Sequence, residues 1–148
     1  MTPDQLRQHV IAPTLINMGM WSQEAEDLLL ETAMHESDRL KRITQYTGPA
    51  LSYYQIEPAT LHDLYDSFLR YKPELLKKLD GFRSPNLSQN DNLRMNGAYA
   101  TAAARLQYYR QPGAIPDTIE GRAAYWKRYW NTPLGRGTEI KYINDNKG

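Results

Sequence analysis

Apolar positions recur at intervals of three and four along most of the chain, the period of helices packed on one side, and no stretch alternates long enough to predict a sheet. Thr2-Pro3-Asp4 reads as a helix start, with Thr2 as N-cap and Pro3 at the first helical position. Leu6, Val10 and Ile11 form its inner face, Pro13 kinks or restarts it, and Leu15, Ile16 and Met18 carry the stripe to a C-capping Gly19. A second helix begins on Ser22 and places Ala25, Leu28, Leu29, Thr32 and Ala33 on one stripe. Pro58 or Thr60 opens a third, with Leu61, Leu64, Tyr65, Phe68 and Leu69 inward, and a short helix from Pro73 through Leu79 closes at Asp80-Gly81. Residues 83–92 read as a surface loop. From about Asp91 to Arg110 the pattern is again helical, and the small side chains of Gly97, Ala100, Thr101 and Ala104 predict a central buried helix. After the break at 111–116, Asp117 or Thr118 caps a stretch carrying Ile119, Ala123, Trp126 and Trp130. Residues 131–137 form a turn, and a short helix from Thr138 to about Asn144 ends the chain. The expectation is a mainly α fold, one domain over 1–148, with at most a small β-hairpin between Arg42 and Gln55.

One position departs from the hydrophobic pattern in a chemically suggestive way. The stripe that starts at Ala25 reaches Glu36 next, which puts a carboxyl group on the face that packs inward. Burial and the negative end of the helix dipole both disfavour its ionised form. Six carboxylates and no Lys or Arg lie between Ser22 and Asp38, and they are expected to push the same way. A carboxyl group kept protonated near neutrality is what a general acid requires. A capping role at the helix end, with the side chain in solvent, is the competing reading.

The residues after Glu36 bear on that choice. His35-Glu36-Ser37 is followed, across a loop, by Ser52-Tyr53-Tyr54-Gln55-Ile56-Glu57-Pro58-Ala59-Thr60. This arrangement resembles the signature of the lytic transglycosylases and goose-type lysozymes, in which a Glu-Ser pair ending a helix precedes Gly-Leu-Met-Gln, two residues, Pro, any residue and Thr. Ala98-Tyr99-Ala100 resembles a later Ala-Tyr-Asn-Ala-Gly element in its Ala-Tyr portion. Ser52 replaces a glycine, Tyr53 and Tyr54 replace smaller apolar residues, and the Asn and Gly after Tyr99 are absent. The chain as a whole is similar to the short version of this domain found in tailed bacteriophages.

The resemblance implies a lysozyme-like fold that cleaves the bond between N-acetylmuramic acid and N-acetylglucosamine in peptidoglycan. It implies Glu36 as general acid and then base, Ser37 holding Glu36 or the substrate, Gln55 lining the cleft, Tyr54 on its wall, and Tyr99 orienting Glu36 or supporting developing positive charge. Its expected partners are peptidoglycan glycan strands and other phage virion proteins. A virion structural or assembly protein that keeps the fold with little or no catalysis is the alternative.

Composition narrows the remaining classes. A net charge of +1 gives no case for nucleic acid, and the absence of cysteine removes disulfide and thiol chemistry. Residues 105–136 are locally basic, with Arg105, Arg110, Arg122, Lys127, Arg128 and Arg136 against Asp117 and Glu120, so they either face an anionic polymer or form a solvated surface. His9, His35 and His62 are too dispersed for a metal site, so neither a metal nor another cofactor is expected. The aromatic group Tyr125, Trp126, Tyr129 and Trp130 is either core packing or a sugar-stacking surface. No membrane span and no secretory signal are expected, which points to the virion or, after lysis begins, the host periplasm and cell wall.

Overall fold

The computed structural model of the chain describes residues 1–45, 47–131 and 134–148. Tyr46, in the segment read as a possible hairpin, and Thr132 and Pro133, in the predicted turn, lie outside the described residues. The protein is mainly α-helical: α1 (Pro3–Leu6), α2 (Ala12–Met18), α3 (Gln23–Glu36), α4 (Pro58–Ser67), α5 (Pro73–Asp80), α6 (Gln89–Met95), α7 (Gly97–Tyr109), α8 (Ile119–Trp126) and α9 (Glu139–Asp145). Among the described residues, no helix is long and apolar enough to cross a membrane.

Local chemistry explains the boundaries. Thr2 and Gln5 close a reciprocal capping box at the start of α1. Pro13 has no N–H and its ring would collide with the preceding turn, and the chain meets this with a π-helical segment, Arg7–Ile11, ahead of α2. Gly19 ends α2 at φ 67°, a left-handed cap that glycine adopts without strain. Ile16, expected inside, is 65% exposed; Leu15 and Met18 fill the interior instead.

The helix predicted from Asp91 to Arg110 is two helices. Asn96 breaks it by accepting from the Tyr99 N–H as the N-cap of α7, while its own amide donates to the Phe82 carbonyl. Asn92, fully buried, folds the preceding loop over itself through the Ser84 N–H and three backbone carbonyls.

The core forms around α7. Ala100, Ala102, Ala103 and Ala104 are all buried, so small side chains on nearly every face let α2, α3, α4, α5 and α6 approach closely. Leu28, Leu29 and Ala33 of α3 complete this core. Between α3 and α4 the chain makes two isolated antiparallel bridges, Thr44 with Leu51 and Leu51 with Ile56, in place of a regular hairpin. A smaller cluster of Ala123, Trp126 and Tyr142 joins α8 to α9.

Candidate active site

The stripe on α3 packs as its spacing predicts: Ala25, Leu28, Leu29, Thr32 and Ala33 are each 1% exposed or less. The Thr32 hydroxyl, which bonds the Leu28 carbonyl, also meets the Tyr108 hydroxyl at 2.8 Å, so the C-terminal halves of α3 and α7 lie together. One turn beyond Thr32, Glu36 emerges half-buried at the end of α3.

The chain leaves Glu36 by an unusual turn. Asp38, Arg39 and Leu40 all have positive φ, a conformation unfavourable for residues with a Cβ. Ser37 holds the turn, its buried hydroxyl donating to the Ala33 carbonyl and accepting from the Leu40 N–H. The Arg42 guanidinium then donates twice to the Glu36 backbone carbonyl, at 3.0 and 3.2 Å, and stabilises the negative end of α3.

Glu36 opens into a cleft of about 340 Å³ lined by Arg42 and Gln45, by Gln55, Glu57 and Thr60, and by Gln107, Trp130 and Asn131. The Trp126 indole N–H donates to Glu36 Oε2 at 3.0 Å. Trp126 is fully buried, and its ring edge stands so close to Gly137 that a Cβ there would come within 2.6 Å. The indole is thereby fixed toward the carboxyl group. Burial raises the Glu36 pKa from 4.5 to about 7, against the opposing pull of the Trp126 hydrogen bond and the Arg42 charge.

The cause differs from the sequence expectation in one respect. Neighbouring carboxylates on α3 were expected to contribute, but they are engaged elsewhere. Glu26 and Asp27 pair with Arg7, and Glu31 takes a two-pronged ion pair from Arg122 together with the Tyr142 hydroxyl. Desolvation alone is left to raise the Glu36 pKa.

Of the residues that the resemblance assigns to the site, Gln55 joins Glu36 in the cleft, and Ser37, Tyr54 and Tyr99 do not. Gln55 closes a tight turn in which Leu51 and Ile56 exchange backbone hydrogen bonds, and its amide N–H donates to the Ser52 carbonyl. Ser37 holds the loop rather than the Glu36 carboxyl group. Tyr54 is buried with its hydroxyl 2.8 Å from that of Thr101, so it packs against α7 and is not a cleft wall. Tyr99 is fully buried, and its hydroxyl bonds that of Tyr65, which in turn donates to Asp80. This corrects the expectation for Tyr99: it ties α7 to α4 and does not line the cleft.

Helix α7 reaches the cleft eight residues later, roughly two turns along, through Gln107. Gln107 ends the buried row Ala100, Ala103, Ala104 as Glu36 ends its own row on α3, and that polar termination of an apolar stripe is the signal by which the sequence marks it. Gln55 and Gln107 both line this cleft, and each has a buried Oε1 with no hydrogen-bond partner. Trp130, stacked on Tyr108 with ring centroids 4.8 Å apart, supplies an aromatic wall, whereas Trp126 and Tyr125 belong to the interior. Glu57, exposed at the N-terminus of α4 with no side-chain capping bond, puts a second carboxylate on the cleft.

No protein-family model, curated protein or solved structure matches the chain.

Proposed function

We propose that this protein is a peptidoglycan-cleaving glycosidase, a lytic transglycosylase of lysozyme-like type, with Glu36 as its acid and base. The observation that carries the reading is a carboxyl group with a pKa of about 7 held by an indole N–H in a polar cleft, the condition for donating a proton at neutral pH and then taking one back. The amide side chains of Gln55 and Gln107, which line the cleft, suit the hydroxyl and acetamido groups of an amino sugar. Trp130 offers a face for a pyranose ring. The residue pattern after Glu36 supports the same reading, and Ser52, where that pattern has glycine, sits at φ 72°, a conformation that favours glycine.

In the reaction, protonated Glu36 gives its proton to the glycosidic oxygen as that bond to the muramic acid C1 breaks. The resulting carboxylate accepts the proton of the muramic acid C6 hydroxyl, whose oxygen closes on C1, and a 1,6-anhydro end is formed with no water consumed. The presence of Glu57 favours a second outcome, in which it activates water on the opposite face and the product is an ordinary reducing end. A protein carrying out either reaction acts on the wall from a virion or from the periplasm.

Digestion of purified peptidoglycan followed by mass spectrometry tests the proposal and divides its two outcomes. Anhydro muropeptides are expected. Products one water heavier, lost in Glu57→Gln, establish hydrolysis, and an intact wall after prolonged incubation leaves the non-catalytic virion role.

A further inference from the structure

A second cavity, of about 750 Å³, lies between the C-terminal end of α7 and the starts of α3 and α5, away from Glu36 and sharing no lining residue with its cleft. Arg105, Arg110 and Lys72 line it together with one acid, Glu24, and Asp63 pairs with Arg110 from outside the lining, so the cavity remains positive. The rest of its wall is largely apolar, with Phe68, Leu75 and Ile115 and the rings of Tyr109 and Tyr125.

The cations are incompletely matched from within the protein. Arg110 gives one nitrogen to Asp63 at 3.0 Å, but its Nη1 is buried with no hydrogen-bond partner. Arg105 donates to the Met20 carbonyl at 3.3 Å and has no carboxylate paired with it among the described residues. It is sufficiently buried for desolvation to lower its pKa. A guanidinium N–H taken from water without an acceptor is unfavourable, and a ligand oxygen relieves it. Carboxylates match the planar fork of arginine, and the aromatic and aliphatic walls suit the apolar body of such a ligand.

We infer that this cavity is a binding site for an organic monocarboxylate with an apolar body, such as an acylated amino acid or the C-terminus of a short peptide, with the Arg105 guanidinium as its principal cationic partner. A bare inorganic anion satisfies the arginine and leaves the apolar walls unused. The inference does not depend on the chemistry at Glu36.

The test is titration of the full chain, followed by calorimetry and by amide chemical shifts, with N-acetyl-leucine, its neutral amide and inorganic phosphate. The acid is expected to bind at least about tenfold more tightly than the amide, because one charge-assisted hydrogen bond separates them. Phosphate is expected to bind more weakly than the acid. Shift changes should centre on 72–75, 105 and 109–115 and leave 36, 55–57 and 107 unmoved. Arg105→Gln should bring the acid's affinity down to that of the amide, and Arg105→Lys should restore part of the difference. Equal binding of acid and amide, phosphate binding as tightly as the acid, no binding by the acid, or shifts centred on the Glu36 cleft would each overturn the assignment, and the wild-type arms do so even if a variant fails to fold.

Discussion

Glu31 and Glu36 stand five residues apart on α3, and the protein treats them in opposite ways. Glu31 is buried and fully satisfied: Arg122 reaches both its oxygens at 2.8 and 2.9 Å and the Tyr142 hydroxyl adds a third bond at 3.0 Å. These contacts fasten α8 and α9 onto α3. Glu36 is half-buried at the helix end, and its carboxyl group receives the Trp126 indole N–H, while Arg42 donates to its backbone carbonyl. A buried carboxylate with both oxygens held by one guanidinium and a tyrosine hydroxyl serves architecture. One without such a partner is left close to its titration point and is available for chemistry.

The largest effect that separates them concerns catalysis. Glu36→Gln preserves shape and can still accept from Trp126, so the protein is expected to fold while peptidoglycan cleavage falls by about 10² to 10⁴. A twofold loss would contradict a general acid at this position. The same substitution carries a stability signature. The folded state binds the Glu36 proton more tightly than the unfolded chain does, so this group's favourable contribution is complete below about pH 4.5 and is lost as pH rises through about 7. Above pH 7 the Gln variant should therefore be more stable than wild type, by up to about 3 kcal/mol, a bound that solvent entering the cleft reduces. Denaturant melts at pH 4 and pH 8 check it: the difference between the two proteins should appear at the higher pH alone. Wild-type cleavage should decline over the same range as the acid form disappears.

Glu31→Gln should reverse the pattern. It leaves Arg122 buried beside a neutral group and is expected to destabilise by about 3–5 kcal/mol. Turnover per folded molecule should change little, since Glu31 does not line the cleft. Replacing both partners, Glu31→Met with Arg122→Met, should recover much of the loss in an unfolding titration, because no unpaired charge remains. Failure of the double variant to exceed the single one would show that the ion pair itself, and not the stranded arginine, matters.

The same contrast shows what the sequence discloses. Helix starts were legible because their signals are local: Thr2, Ser22, Thr118 and Thr138 each accept from a first-turn N–H in the structure. The inward placement of Glu36 was legible because a helix fixes which residues share a face. The division of labour between Glu31 and Glu36 was not, since Arg122 lies 91 residues from its partner and Trp126 lies 90 from Glu36. The left-handed turn at 38–40 was equally hidden, because Asp, Arg and Leu give no sign of positive φ and the Ser37 hydroxyl that holds the turn acts only once the helix has ended there. Nor did the pattern mark Glu57 as a cleft residue, which depends on how the turn at 51–56 and the start of α4 come together around Glu36.

Tyr99 offers the smallest effect and the sharpest comparison between a motif and its geometry. If the Ala-Tyr match alone assigned its role, Tyr99→Phe would slow cleavage more than it lowers stability. The structure reverses that order: the hydroxyl bonds Tyr65 at 2.7 Å, and its loss should cost about 1 kcal/mol in an unfolding titration with turnover preserved. Gln107→Leu is the complementary change. It removes an acceptor from the cleft that no protein group satisfies, so the folded protein should be as stable or slightly more so, because a buried polar atom without a partner has been replaced by an apolar one. Its kcat/KM on peptidoglycan should fall by roughly tenfold, the worth of one hydrogen bond to the sugar. A Tyr99→Phe protein that is stable and slow, beside a Gln107→Leu protein that is unchanged in rate, would return the catalytic surface of α7 to its first turn and displace the cleft described around Glu36.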